Sequence, residues 1–172
     1  MDPFLKLGLV VSAVVLLLIV YLWIRRSGAR QEPSFSPDAE RAIAFARVEA
    51  QTLESSDIEP VHLLLGLLHL PVPAIVRFIP LDWHDSIRSE VRDHVSGGAI
   101  VSYRDDLPFS DDAQLALVAA AREAKGLSSP SIGAEHLLLG LLHSDKSLAA
   151  LILRERGLRL EGLRAAYGGW QE

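Results

Sequence analysis

The chain has 172 residues, 49% of them hydrophobic, with a net charge of −5 at pH 7 and no cysteine. That length allows one modest domain with a real core plus an extra element, and the lack of cysteine excludes disulfides, thiol chemistry and Cys-based zinc sites. From Phe35 onward, 13 Lys and Arg stand against 20 Asp and Glu, and this net charge of −7 disfavours nucleic acid as a partner.

The first predicted element is an uncharged apolar run at residues 8–24, GLVVSAVVLLLIVYLWI. Extended back to Phe4, it makes a helix of about 31 Å, close to the hydrocarbon thickness of a bilayer. Arginines follow at once at positions 25, 26 and 30, so the positive-inside rule favours a cytoplasmic C-terminal part. We predict an uncleaved transmembrane anchor at 1–25, a linker at 26–34 and a single-pass location, in the bacterial inner membrane. A cleaved signal peptide is the alternative.

An internal repeat follows the linker. Residues 35–69 align without a gap on residues 109–143, and 19 of the 35 positions are identical. Such self-similarity indicates one supersecondary unit used twice. We predict an all-α domain at 35–168 with two pseudo-symmetric four-helix halves: repeat 1 at 35–95, a loop at 96–108 and repeat 2 at 109–168.

Each repeat is predicted to open with a capped helix. Ser36 and Ser110 stand at the N-cap positions, and acidic residues follow them in the first turn. A stripe of small residues, mostly alanine, runs along each helix at helical spacing. This stripe favours close helix packing between the two halves over an oligomerisation surface.

The second helix of each repeat carries the matching segments VHLLLGLLH and EHLLLGLLH. It is apolar nearly all round, which predicts a buried central helix. Gly66 and Gly140 lie in its middle, where glycine costs about 1 kcal/mol relative to alanine. Their presence in both copies indicates that a neighbouring backbone needs the space.

Two more helices are predicted in each repeat. The third covers 74–79 and 147–156, and the fourth covers 83–95 and 160–167. Pro71, Pro73 and Pro80 are expected to shorten the third helix of the first repeat.

The histidines that bracket the central helices raise the question of a metal site. His62 and His69, like His136 and His143, are seven residues apart, which separates them by about 10.5 Å along a helix. Such a pair cannot share one ion, so we predict structural histidines, no metal and no cofactor. No Gly-x-Ser-x-Gly elbow is present, and an enzyme, for example a hydrolase, is the less favoured class.

The doubled pattern closely resembles the Clp N-terminal repeat domain. The shared features are an opening Phe-Ser-x-Asp-Ala, a Glu-Ala some ten residues on, the His-Leu-Leu-Leu-Gly-Leu-Leu segment, and Leu-Pro-Phe before the second copy. In the Clp unfoldases this domain precedes AAA+ ATPase modules. The present sequence has only three lysines and no Walker A loop, so the resemblance implies a free-standing domain without nucleotide binding or hydrolysis.

The resemblance also implies candidate site residues. In one branch of the family, the acid just before the motif histidine helps to bind a phosphorylated arginine, and a hydroxyl residue after the opening phenylalanine lies nearby. The matching positions are Glu135 and Val61 for the acid, and Ser36 and Ser110 for the hydroxyl. Valine cannot form the paired hydrogen bonds of a carboxylate, so unequal halves are expected. Alternatively, Glu135 only complements a helix N-terminus.

The resulting functional prediction is a non-catalytic protein-binding module. It would recruit substrates or adaptors, or dock Clp unfoldase and protease subunits, at the membrane. A structural accessory subunit of a Clp complex is the second hypothesis. The predicted partners are proteins and, through the N-terminal helix, the membrane; nucleic acid and nucleotide are not expected.

Overall fold

The computed structural model describes residues 34–95 and 107–168. In the first half, α1 covers Pro37–Thr52, α2 covers Pro60–Leu68, α3 covers Pro73–Val76 and α4 covers His84–Val95, with a 3-10 turn at Leu81–Trp83 before α4. In the second half, α5 covers Asp111–Gly126, α6 covers Ala134–Leu142, α7 covers Leu148–Glu155 and α8 covers Leu160–Gly168. The all-α prediction is confirmed, since the described part of the chain contains helices and isolated bridges but no strand.

The predicted caps open α1 and α5. The Ser36 hydroxyl accepts a hydrogen bond from the Ala39 amide at 3.3 Å, and the Ser110 hydroxyl accepts one from the Ala113 amide at 3.2 Å. Each cap satisfies one of the amides that a helix N-terminus leaves without an intrahelical partner.

The central helices α2 and α6 are buried, as their composition predicts. A Cβ atom at Gly66 would lie 2.2 Å from the Ala42 carbonyl oxygen, and one at Gly140 would lie 2.3 Å from the Ala116 carbonyl oxygen. The predicted close backbone approach is therefore present in both halves. The predicted packing of the alanine stripes between the two halves is wrong. Each stripe packs on the central helix of its own half.

The third helices differ in length as the prolines predict. α3 has four residues, whereas α7 has eight. Each packs across the boundary between the halves, α3 on α6 and α7 on α2. This exchange brings residues of one half beside the central helix of the other.

The halves are also joined through short backbone contacts. The Ser36 amide donates to the Ile132 carbonyl at 2.9 Å, and the Ser110 amide donates to the Ile58 carbonyl at 3.1 Å. Isolated parallel bridges link Phe35 with Ile132, and Ile58 with Phe109. The start of each repeat is thus held against the segment that precedes the central helix of the other repeat.

The predicted membrane location is corrected at this point. Within residues 34–95 and 107–168, no helix is long and apolar enough to cross a bilayer. The longest, α1 and α5, have 16 residues each, about 24 Å against a hydrocarbon core of about 30 Å. By this finding the single-pass location is wrong; the predicted anchor at 1–25 lies outside the described residues.

Candidate functional site

The four motif histidines have structural partners. The Nδ1 atom of His62 accepts a hydrogen bond from the Glu59 amide at 2.9 Å, and Nδ1 of His136 accepts one from the Gly133 amide at 2.8 Å. His69 contacts the Glu49 carboxylate at 2.6 Å, and His143 contacts the Glu123 carboxylate at 2.5 Å. The histidines therefore cap and join helices. In the described ranges no group of three or more His, Asp or Glu side chains is placed to hold a metal.

A cavity of about 380 Å³ lies beside the start of α6. Its volume falls at the lower end of the range typical of ligand pockets, roughly 300–1,000 Å³. The first half contributes one wall and the second half contributes the others. The lining residues are Ala74, Leu127, Ser128, Ser129, Pro130, Glu135, His136 and Tyr167.

Glu135 supplies the carboxylate of this pocket. Its side chain is 29% exposed, and Oε1 lies 3.2 Å from Nδ1 of His136. That nitrogen already accepts the Gly133 amide hydrogen, so it carries no proton to donate to Glu135. Burial lowers the pKa of His136, which favours this neutral form. Among the described residues no lysine or arginine pairs with Glu135, so its charge is available to a ligand.

The space for this carboxylate comes from Gly133. A Cβ atom at that position would lie 2.2 Å from Oε1 of Glu135. In the first half the repeat aligns Glu59 with Gly133, and Val61 with Glu135. Val61 is only 2% exposed. In the first half the acid thus stands two residues closer to the N-terminus, and the position that aligns with Glu135 is buried.

Glu59 has a different environment from Glu135. The residue as a whole is exposed at the N-cap of α2. Desolvation of its carboxyl group, followed by the charges of Asp57 and Asp112, nevertheless raises the pKa of Glu59. The acids of the two halves therefore lie at different positions: Glu135 lines the cavity, whereas Glu59 stands at the N-cap of α2.

Neither of the predicted hydroxyl residues is among the residues that line the cavity. Ser36 bonds through its amide to Ile132, three residues before Glu135, so the structure brings Ser36 and the start of α6 together. Ser110 bonds in the same way to Ile58, three residues before Val61. Both hydroxyls are engaged in helix caps.

Tyr167 is one of the lining residues that the sequence did not identify as part of a site. Its hydroxyl donates to the Ala74 carbonyl at 2.6 Å, and its ring meets Phe78 edge-on at 5.0 Å between centroids. Burial, followed by the Glu135 charge, raises the pKa of Tyr167. Leu163 and Tyr167 are buried four residues apart, which marks the inner face of α8. That pattern predicts burial, but no sequence signal identifies a partner 93 residues away.

The family can now be stated from the comparison with known domains. The model of the Clp repeat (R) N-terminal domain matches residues 34–156. This chain belongs to the Clp repeat N-terminal domain family.

Curated relatives agree with this assignment. A Chlamydia pneumoniae protein named "Probable ATP-dependent Clp protease ATP-binding subunit" is 32% identical over 122 residues, which are 69% of this chain and 14% of that protein. An uncharacterized protein of Mycobacterium tuberculosis is 37% identical over 113 residues, which are 64% of this chain and 44% of that protein. The Clp N-domain thus spans less than half the length of these relatives.

Solved structures show the same fold. The N-terminal domain of the chaperone ClpD from Arabidopsis thaliana is 26% identical, with a TM-score of 0.64, and the match covers 81% of this chain and 96% of that domain. The Hsp104 N-terminal domain from Candida albicans has a TM-score of 0.57 at 22% identity, covering 78% and 89% of the two chains, and supports the fold alone.

Proposed function

We propose that this Clp N-domain is a non-catalytic protein-binding module that recruits substrate or adaptor proteins to Clp machinery. Family membership and the Clp names of its relatives support the association with that machinery. The carrying observation is the Glu135 carboxylate, which lines a cavity without a cationic partner among the described residues. We assign this cavity to a cationic side chain of the bound protein.

The chemistry of the cavity fits such a side chain. A carboxylate accepts charge-assisted hydrogen bonds from a guanidinium, and a partly desolvated carboxylate binds it more strongly than one in open water. Ala74, Leu127, Pro130 and the ring of Tyr167 provide apolar surface for the hydrocarbon part of the ligand. Ser36 stands near the α6 end of the site and is proposed to contact the bound peptide there; Ser110, its equivalent in the second repeat, lies near the start of α2.

The proposal is tested with short peptides of glycine and serine that carry one central arginine, phosphorylated arginine or citrulline. Citrulline keeps the shape of arginine but has no charge. Calorimetry should detect binding of the arginine peptide or of the phosphorylated-arginine peptide. The citrulline peptide should bind more weakly by a factor of about ten or more. Glu135→Gln should remove this preference. Val61→Thr, the control at the equivalent position, should leave the affinity unchanged.

Co-purification from cells separates recruitment from a purely structural role. Capture of varied client proteins together with Clp subunits, reduced by Glu135→Gln, supports recruitment. A stoichiometric Clp complex that is indifferent to Glu135→Gln would instead identify an assembly subunit. Absence of both Clp subunits and clients would contradict the proposed function.

A further inference from the structure

The cavity at Glu135 is built by both halves of the domain. Glu135 lies on α6, Ala74 on α3 and Tyr167 on α8. Because α3 packs on α6 as α7 packs on α2, the first half has an equivalent place beside α2. A comparison of the two places shows which side chains leave the cavity open.

The third helices align with the same 74-residue shift as the rest of the repeat. Ile75 and Ala149 are both fully buried, and so are Ile79 and Leu153. This register sets Leu148 against Ala74. Leu148 is partly buried and packs against the core, so beside α2 a branched four-carbon side chain stands where the cavity beside α6 has a methyl group.

The fourth helices align by their buried faces. Ile87 and Val91 of α4 are buried four residues apart, as Leu163 and Tyr167 of α8 are. Val91 is fully buried and has neither the ring nor the hydroxyl of Tyr167. The place beside α2 is therefore surrounded by three aliphatic side chains, those of Val61, Leu148 and Val91. The corresponding residues of the cavity beside α6 are Glu135, Ala74 and Tyr167, in that order.

Resting on the proposed peptide-binding function, we propose that Ala74 and Tyr167 are the specificity-determining residues that confine recognition to a single cavity, which accepts one long cationic side chain per domain. Ala74 leaves the depth that such a side chain needs. Tyr167 is a positioning residue, because its bond to the Ala74 carbonyl fixes α3 as the opposite wall. The equivalent place beside α2 is instead occupied by the aliphatic side chains of Val61 and Val91 and, from the second half, Leu148.

Calorimetry with the arginine peptide tests the depth and the number of sites. Wild-type protein should bind one peptide per chain. Ala74→Leu should weaken arginine binding at least tenfold, yet change binding by less than twofold for a peptide whose guanidinium is two methylenes closer to the backbone. A misfolded variant would lose both peptides, so this difference reports depth. Ala74→Val, with an intermediate loss, serves if Ala74→Leu does not fold. Leu148→Ala is the matched control and should retain wild-type affinity.

Tyr167→Phe tests the positioning role. This variant keeps the ring and removes the hydrogen bond to the Ala74 carbonyl. The affinity for the arginine peptide should therefore fall several-fold, and the ratio of its affinity to that of the shorter peptide should decrease. Two outcomes would overturn this inference and leave the proposed function standing. One is the binding of two peptides per chain. The other is full arginine-peptide affinity of Ala74→Leu when Glu135→Gln has lost that affinity. No binding of any charged peptide by wild-type protein would overturn both.

Discussion

The Arg164 guanidinium donates two hydrogen bonds to the Glu123 carboxylate, from Nε at 2.9 Å and from Nη2 at 2.5 Å. The pair joins α8 to α5, and the Glu123 side chain is only 7% exposed. These contacts, chiefly the hydrogen bond from Arg164, lower the pKa of Glu123 to about 2. The arginine thereby holds the C-terminal helix in the position from which Tyr167 reaches the cavity.

Replacement of this carboxylate should destabilise the domain. Glu123→Gln should lower the free energy of unfolding at pH 7 by about 1.5–3 kcal/mol, measured by urea denaturation, because it weakens hydrogen bonds between charged groups. Glu49→Gln is the matched control. Glu49 occupies the equivalent position and contacts His69 but not an arginine among the ion pairs of the described residues, so its loss should be smaller.

The same variant should alter the acid dependence of stability. Because the pKa of Glu123 is depressed from 4.5 to about 2 on folding, its contribution is complete above about pH 4.5 and disappears as the pH falls toward 2. The stability difference between wild-type and Glu123→Gln should therefore shrink across that window. An unchanged difference at pH 2.5 would contradict the assignment.

His62 should contribute a second pH dependence. Burial lowers its pKa from 6.5 to about 4, so between these values the unfolded chain binds a proton that the folded chain does not. Unfolding free energy should fall as the pH drops from 6.5 to 4, with a slope of one proton from this residue. His62→Gln keeps an acceptor for the Glu59 amide and should remove that part of the slope. An unaltered slope would rule out His62 as its source.

The glycines of the central helices should not tolerate a methyl group. Gly66→Ala and Gly140→Ala would each place Cβ less than 3 Å from backbone atoms of the neighbouring helix, which cannot move aside independently. Each should cost roughly 3 kcal/mol or more in thermal or urea unfolding. Gly162→Ala in α8 is the control: its Cβ would meet nothing within 4 Å, and it should stabilise the helix by about 0.5–1 kcal/mol.

Gly133 should matter for binding rather than folding. Its backbone is extended, so alanine introduces no strain, but the new Cβ displaces the Glu135 carboxylate. Gly133→Ala should weaken arginine-peptide binding by about tenfold with little change in stability. Gly126→Ala, whose Cβ meets nothing within 4 Å, is the control. Equal affinity for both variants would show that the carboxylate position is unimportant.

The predictable part of this molecule is the part encoded by local rules. Ser36 and Ser110 predict the starts of helices because a short hydroxyl side chain accepts a hydrogen bond from an unpaired amide of the first turn. Gly66 and Gly140 predict close helix packing because glycine destabilises a helix and is expected there only where a neighbouring backbone leaves no room for a Cβ atom. These features depend on few neighbours in sequence, and the structure contains them as expected.

The cavity depends on residues that sequence does not bring together. The hydroxyl of Tyr167 contacts the Ala74 carbonyl although the two residues are 93 positions apart in the sequence. No pattern in either segment predicts this contact. The sequence pairs Val61 with Glu135, but the importance of Gly133, which aligns with Glu59, becomes clear only when the path of the Glu135 side chain is known. Such relationships arise from packing geometry.

The crossed contacts of Ser36 with Ile132, and of Ser110 with Ile58, have an evolutionary consequence. A chain with a single copy of the repeat would leave both backbone partners unmet, and its third helix would have no foreign central helix on which to pack. Two such chains would satisfy each other completely. The domain therefore has the form expected of a fused homodimer, and two copies within one chain are free to differ at equivalent positions, as Glu135 and Val61 do.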